Sequence, residues 1–401
     1  MNYPLFYSLI IIITIVYTII FYRNVIVNGN ILIPLYLLLF FASFVIAPAI
    51  LVAFSALFFE TTAGFYINFE RAGEALIIVL VYFIPFLMLS FKRNRKLSTE
   101  VSYNVKNDLF IDFPIGFFLS SIPFLLSVTY PSLNVYLRPF SLLVACRILI
   151  EKKRGLYLML GYILPVLTEF SLVAPGLWGF VAIALLFLSI VFQFKKLSIR
   201  GSLLLISLST LGLIILNAYK LVLRGSTDSL NPYAFFVRIN SLQILINVIS
   251  YIKEFDYFQK VKDSILVTAI LPQFFTGIEV RDISNEFGHE IHVLQENDFT
   301  TIVNPTHIAE LYYNMGPFGV FLGGLIIAIT LSGLTKITKS SKKDLVILGF
   351  LIFYSFANFE RTFTYLIAGI VRGIYVWVVY LHIFYIFRHQ TVIKTELSTQ
   401  R

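Results

Sequence analysis

The chain is poor in cysteine and in charge. Its one cysteine, Cys146, has no second thiol within the chain to pair with, which excludes a disulfide-stapled secreted domain. Charged residues make up 13% of the 401 residues, against roughly 25% in soluble domains. So few charges cannot cover a water-soluble surface, and the composition therefore predicts an integral membrane protein.

Signatures of common cofactor and metal chemistry are also missing. The sequence contains no glycine-rich phosphate loop ending in lysine, no dinucleotide-binding glycine pattern and no internal repeat. His289 and His292 are three residues apart, whereas the helical zinc signature needs two histidines four apart. We therefore predict no metal and no cofactor. The first apolar run follows an uncharged Met-Asn-Tyr-Pro, which predicts a retained helix rather than a cleaved signal peptide.

Long apolar runs make up most of the sequence. A search for stretches of about 18 to 25 residues predicts about eleven membrane spans, and hence an all-α polytopic membrane protein. Pro48 lies within the second span and predicts a tilt, a kink or a re-entrant part there. The predicted spans are 5–22, 31–58, 74–91, 111–129, 131–150, 155–174, 176–194, 201–223, 307–334, 345–362 and 364–387.

Basic residues are concentrated in the short loops between these spans. The net charge is +9, and the counted spans place the basic loops on one side of the membrane. The positive-inside rule then predicts a periplasmic N-terminus and a cytoplasmic C-terminus, and no nucleic-acid partner is expected. The cations are Lys92, Arg93, Arg95, Lys96, Lys106, Lys152, Lys153, Arg154, Lys195, Lys196, Arg200, Lys336, Lys339, Lys342, Lys343, Arg388, Lys394 and Arg401.

One long polar loop divides the chain into three parts. Residues 1–223 form spans one to eight, residues 224–306 form a large periplasmic loop, and residues 307–401 form spans nine to eleven and a cytoplasmic tail. The loop contains six basic and ten acidic residues. Residues 235–252 have apolar side chains at helical spacing, which predicts an amphipathic helix on the membrane or across the span mouths. Residues 265–275 are apolar but too short to span.

The junction between this loop and the ninth span carries the strongest candidate site. His307, Glu310 and Asn314 are spaced i, i+3 and i+7 and share one helical face at the mouth of the span. An imidazole beside a carboxylate can act as a general base towards a hydroxyl. The competing interpretation is an ordinary helix start, with Asn304 as N-cap and Pro305 at the first helical position.

Arginines and aromatic residues complete the candidate site. Guanidinium groups bind phosphate oxygens in pairs, and we predict anion binding by Arg238 and Arg372, which lies about eight residues inside a span. Arg138 and Arg361 are equally well explained by contact with lipid headgroups. Tyr312 and Tyr313 could stack on a sugar ring. Four glycines predict close helix packing in the ninth span: Gly316, Gly319, Gly323 and Gly324.

The run N-P-T-H-I-A-E-L-Y-Y-N-M-G-P-F-G-V-F-L-G-G, residues 304–324, resembles the Wzy-type O-antigen and capsule repeat-unit polymerases, which are related to the O-antigen ligases. The number of spans and the late periplasmic loop match as well. The resemblance implies a metal-free glycosyltransferase of the bacterial inner membrane. Its substrates would be undecaprenyl-pyrophosphate-linked oligosaccharides, and its partners membrane lipid and a chain-length regulator protein.

The resemblance also implies roles for individual residues. Arg224, Arg238 and Arg372 would hold the donor pyrophosphate, and His307 or Glu310 would position or deprotonate the acceptor hydroxyl. Asn314 and Tyr313 would contact sugar. His307 matches the ligases' catalytic candidate, but the ligases' usual His-Asn pair is absent because Ile308 follows, which favours a polymerase.

Three other functions compete with the polymerase. An O-antigen ligase would pass finished glycan to the lipid A core. A flippase for lipid-linked oligosaccharide would show inverted repeats and short loops on both faces, and neither is found in the sequence. A membrane acyltransferase would carry a histidine–aspartate signature, which is not visible.

Overall fold

The described part of the protein is entirely helical. A computed structural model describes residues 3–57, 69–92, 177–194, 240–251, 306–340, 342–357 and 366–382, together with 142, 143, 146, 147, 150 and 363. No strand occurs among these residues, which confirms the predicted all-α class. The helices are α1 Tyr3–Tyr22, α2 Leu32–Phe41, α3 Ala47–Leu57, α4 Phe69–Phe91, α5 Leu177–Phe194, α6 Leu242–Tyr251, α7 His307–Thr338, α8 Lys343–Ala357 and α9 Leu366–His382.

Among the described residues, four helical segments are long and apolar enough to cross a membrane, which identifies the chain as a membrane protein. They are Pro4–Val27, Leu32–Ala53, Arg71–Phe91 and His307–Thr338, and they coincide with the first, second, third and ninth predicted spans. Helices α5, α8 and α9 fall on the seventh, tenth and eleventh. The predicted spans 111–129, 155–174 and 201–223 lie outside the described residues, as does most of 131–150.

The irregularity predicted near Pro48 is present as a widened turn. A π-helical turn over Ala42–Ile46 joins α2 to α3. Proline has no N–H, and its ring crowds the carbonyl four residues earlier, here that of Phe44. A π turn relieves such a conflict without ending the helix, so the second span continues through Pro48 with a local change of direction.

Helix α7 makes its most extensive contact with α4. It also packs against α8, α6 and α2, while α1 packs on α4 and α2, and α8 packs on α5. The interior between α2 and α4 is strongly aromatic, with Tyr36, Phe40, Tyr82 and Phe86 all fully buried. Large apolar side chains also cover the outside of α1, α4 and α7, as expected for surfaces in contact with lipid.

Several helix termini meet at one end of the assembly, which we call the closed end. Asn24 donates to Ser90 Oγ at 2.7 Å, joining the end of α1 to the end of α4. Thr335 donates to Asn30 Oδ1, also at 2.7 Å, which joins α7 to the start of α2. Gln193 at the end of α5 donates to the carbonyl of Thr338 at 2.6 Å. These contacts bring together the ends of α1, α4, α5 and α7 and the start of α2.

Helix α7 is a hairpin rather than one straight span. Gly316 has φ 61° and ψ −157°, a backbone region essentially restricted to glycine, and Pro317 follows. The break separates residues 307–315, here α7a, from residues 317–338, here α7b. The side chain of Leu311 lies against Gly323, where it fills the space that a Cβ would occupy. In a straight helix these two residues, twelve apart, would be separated by about 18 Å. Segment α7a therefore folds back along α7b.

This reversal moves the predicted site away from the mouth of the span. A Cβ added to Gly319 would lie 2.7 Å from the carbonyl oxygen of Leu311. A Cβ added to Gly324 would lie 2.9 Å from the carbonyl oxygen of Tyr82 on α4. Since α7b spans about 33 Å, His307, one turn before Leu311, lies roughly halfway along it. The expected position at the span mouth is wrong because hydropathy alone does not reveal a reversal of the chain.

Helix α6 also lies deeper than its sequence pattern suggests. The backbone N–H of Ser241, just ahead of α6, donates to the carbonyl of Ser43 at 3.3 Å. Ser43 is in the middle of the second span. Leu242, Leu245 and Val248 are fully buried, and α6 packs against α4 and α7. The described part of the helix predicted to lie on the membrane or across the span mouths is therefore packed inside the helix assembly, with its apolar face against protein.

Candidate functional site

Thr306 begins the helix that carries the candidate site. Its backbone is extended, with φ −64° and ψ 163°, and its hydroxyl accepts a hydrogen bond from Ala309 N at 3.3 Å. Its carbonyl accepts from Glu310 N at 3.0 Å. The competing interpretation, with Asn304 as N-cap and Pro305 at the first helical position, therefore places the helix start two residues too early, because the Thr306 hydroxyl supplies the cap.

His307 is fully buried in an aromatic environment. Its Nδ1 lies 3.3 Å from the Tyr36 hydroxyl, which is 2.5 Å from the Tyr82 hydroxyl. The rings of Phe40 and Phe363 lie 6.2 and 6.4 Å from the imidazole centroid. Three elements thus converge on this histidine: α2 and α4 supply the tyrosines, and the chain ahead of α9 supplies Phe363.

The second ring nitrogen of His307 is unsatisfied. Nε2 is buried and has no hydrogen-bond partner among the described residues. In one tautomer the hydrogen is on Nδ1, which donates a hydrogen bond to the Tyr36 hydroxyl. The Tyr36 hydroxyl then donates to the Tyr82 hydroxyl. In that tautomer Nε2 presents a lone pair and can accept a proton from a hydroxyl. The tyrosine pair would therefore hold the imidazole in the orientation a base requires.

Glu310 fastens α7a to the segment that precedes α9. Its Oε2 accepts a hydrogen bond from the backbone N–H of Phe363, and the side chain is 3% exposed. Glu310 and His307 share one face of α7a, as predicted. Because Phe363 also borders the imidazole, this contact makes Glu310 a positioning group for one wall of the site, in addition to any role in proton transfer.

Three of the remaining predicted site residues lie in the described part of the chain. Asn314 and Tyr313 are half-buried on α7a, and Asn314 is seven residues, or about 10 Å, along the helix from His307. Arg372 is half-buried within α9. The other predicted residues lie outside the described part of the chain: Arg224, Arg238, Arg138, Arg361, His289 and His292.

Tyr36 and Tyr82 are site residues that the sequence did not single out. Both belong to the many aromatic residues that the composition assigns to contact with lipid. The available signal was a hydroxyl group within an otherwise apolar run, since a buried tyrosine hydroxyl normally finds a partner. Within the described residues, no group of three histidine, cysteine, aspartate or glutamate side chains is placed to hold a metal ion.

Arg147 is a second residue that the sequence did not single out. It lies inside the predicted span 131–150, where a charge is itself a signal of function. Its guanidinium donates to the Tyr380 hydroxyl on α9 and lies over the Tyr380 ring, 5.7 Å from the centroid. This contact ties the fifth predicted span to the last one.

No protein-family model matches the chain, and neither a curated protein nor a solved structure matches it significantly. The resemblance to the polymerases therefore rests on residues 304–324 and on the predicted arrangement of the spans.

Proposed function

We propose that this protein is a glycosyltransferase that polymerises undecaprenyl-pyrophosphate-linked oligosaccharide repeat units into O-antigen or capsular polysaccharide. The reaction would take place on the periplasmic side of the bacterial inner membrane, with the N-terminus periplasmic and the C-terminus cytoplasmic. The observation that carries the proposal is the buried His307, whose Nε2 has no partner among the described residues, at the position that resembles the catalytic histidine of the ligases.

In the proposed reaction one glycosidic bond forms and one sugar–phosphate bond breaks. The non-reducing-end hydroxyl of an incoming lipid-linked unit attacks the anomeric carbon of the growing chain, and undecaprenyl pyrophosphate leaves. His307 Nε2 accepts the hydroxyl proton, which then passes to the released pyrophosphate or to water. Arg224, Arg238 and Arg372 are proposed to bind the pyrophosphate and stabilise its charge as it departs.

The aromatic surroundings suit this chemistry. Phe40, Phe363 and Tyr36 keep bulk water away from the imidazole, which protects the activated sugar from hydrolysis. Glu310 holds Phe363 in place. Asn314 and Tyr313 are proposed to contact sugar on the same segment, and a chain-length regulator is the expected protein partner. No metal or other cofactor is needed for the proposed step.

The glycan ladder of a strain deleted for the gene tests the proposal. Loss of the ladder, with a single repeat unit still attached to its acceptor, would establish a polymerase because export and ligation are then intact. Complete absence of surface glycan would instead indicate an O-antigen ligase or a flippase. Restoring the wild-type gene should restore the ladder in either case.

The His307→Gln variant then tests the site. Loss of a general base lowers the rate by about 10²- to 10⁴-fold, so only single repeat units should remain, at a normal protein level. The matched control is His382→Gln, which changes an exposed histidine on α9 and should restore the full ladder. A normal ladder from His307→Gln would show that this histidine is not the base.

A further inference from the structure

A second group of unsatisfied polar atoms lies at the start of α6. Asn240 and Ser241 are 6% and 4% exposed and lie beside Ser43, in the middle of the second span. Neither Nδ2 nor Oδ1 of Asn240 has a hydrogen-bond partner in the described part of the chain, and neither does Gln243 Oε1. A buried primary amide left unpaired on both sides costs stability, so its presence here needs a reason.

The unsatisfied atoms do not depend on how the amides are oriented. Exchanging the oxygen and nitrogen of Asn240 leaves both atoms open. Gln243 Nε2 donates to Asn247 Oδ1 at 3.0 Å, and exchanging both of these amides leaves one Gln243 atom open as before. The first N–H groups of any α-helix also lack intrahelical acceptors. The start of α6 therefore presents both hydrogen-bond donors and acceptors to the interior.

This mixture selects a class of ligand. A phosphate group offers only acceptors and would face the side-chain amide oxygens unfavourably. A sugar hydroxyl both donates and accepts, so neighbouring hydroxyls of one ring can satisfy Asn240 and Gln243 together. The site is also close to the proposed base. Tyr36 and Phe40 of α2 contact His307. Ser43 lies one turn after Phe40 in the second span, and its carbonyl contacts Ser241.

We propose that Asn240 and Gln243 form a subsite for sugar hydroxyls inside the membrane-embedded bundle, and that it positions the acceptor sugar before His307. This inference rests on the proposed glycosyltransferase function. Asn240 is a binding residue in this scheme, distinct from Asn314 and Tyr313, and the position of α6 within the bundle provides the interior wall of the site.

Access to the subsite can be tested without any transferase assay. In a Cys146→Ala background, Asn240→Cys is treated with the uncharged, water-soluble reagent 2-hydroxyethyl methanethiosulfonate. The introduced thiol should be labelled, because a subsite for hydroxyls must admit a hydrophilic molecule. The matched control is Ile246→Cys, a residue of α6 that is 2% exposed and faces the apolar core, which should stay unlabelled. An unreactive thiol in the folded Asn240→Cys variant would overturn the subsite whatever the protein's activity.

The function of the subsite is tested by Asn240→Leu. With purified protein and lipid-linked repeat units, the KM for the acceptor should rise about tenfold while kcat stays within about twofold, since the lost contacts are made equally before and during reaction. The melting temperature should stay level or rise. Asn28→Leu, at an asparagine that donates to the Ser90 carbonyl at 3.3 Å, should leave KM unchanged. Unchanged kinetics in Asn240→Leu, with a lower melting temperature, would mean that the amide holds structural water only and would overturn the proposal.

Discussion

The closed end and the interior site treat buried polar groups in opposite ways. At the closed end Asn24 donates to both the Ile20 carbonyl and Ser90 Oγ, at 2.9 and 2.7 Å. Asn30 Oδ1 accepts from both Leu32 N and Thr335 Oγ1, at 3.0 and 2.7 Å. In the interior, His307 Nε2 and both polar atoms of Asn240 have no partners among the described residues.

The difference distinguishes polar side chains that only join helices from polar side chains that are available to bind a ligand. A polar side chain that only joins helices is most stable when each of its atoms is paired, because lipid and protein supply no water to replace a missing partner. A side chain that binds a ligand must keep part of its hydrogen-bonding capacity open. By this criterion the closed end fixes the helices, and we propose that the interior around α6 and α7a receives a substrate.

The largest expected effect comes from adding a methyl group between the two segments of the α7 hairpin. In Gly319→Ala, the new Cβ would lie 2.7 Å from the Leu311 carbonyl oxygen and would also collide with Met315, so α7a must move away from α7b. We expect loss of the glycan ladder and a lower melting temperature. Gly333→Ala is the matched control, since its Cβ meets no atom within 4 Å. Retention of full activity by Gly319→Ala would contradict the hairpin.

A smaller effect is expected from removing the hydroxyl between Tyr82 and His307. Tyr36→Phe leaves Nδ1 of the imidazole without its partner, and a loss of about 1.4 kcal/mol in transition-state stabilisation lowers the rate about tenfold. Tyr17→Phe on α1, which loses only a 3.3 Å contact to the Pro34 carbonyl, should be fully active. Equal activity of the two variants would remove Tyr36 from the site. The measurement is the initial rate of chain extension with purified protein.

The smallest expected effect is confined to the closed end. Asn24→Leu removes two satisfied hydrogen bonds, which in a membrane contribute on average about 0.6 kcal/mol each. The melting temperature should fall by a few degrees while chain extension continues at the normal rate. The opposite pattern is expected of Asn240→Leu, so the two asparagines form a direct test of the comparison. If both variants lost stability equally and kept activity, the distinction between the two regions would fail.

Hydropathy was sufficient to locate the described helices other than the amphipathic α6. The first three predicted spans and the seventh, ninth, tenth and eleventh each coincide with a helix, because about 20 apolar residues have few alternatives in a membrane. His307 was singled out because an ionisable group near an apolar run is costly, and its burial agrees with that reasoning.

The depth of the site could not be predicted by the same means. Average hydropathy is unchanged when a chain reverses at Gly316, although Gly-Pro is a recognised turn dipeptide and the sequence did contain that signal. Periodicity was equally uninformative for α6, since a helix on a membrane surface and one packed against α4 show the same apolar face. The tyrosine pair requires the contact between α2 and α4, residues 46 positions apart, which no local pattern contains.

The hairpin in α7 has a consequence for how the protein is made. Segment α7a is nine residues long and carries His307 and Glu310, so it is too short and too polar to partition into the bilayer by itself during synthesis. Its burial therefore depends on the contacts that α2, α4 and α7b provide. A defect in any of these helices would yield an inserted protein of normal length that lacks an assembled candidate site.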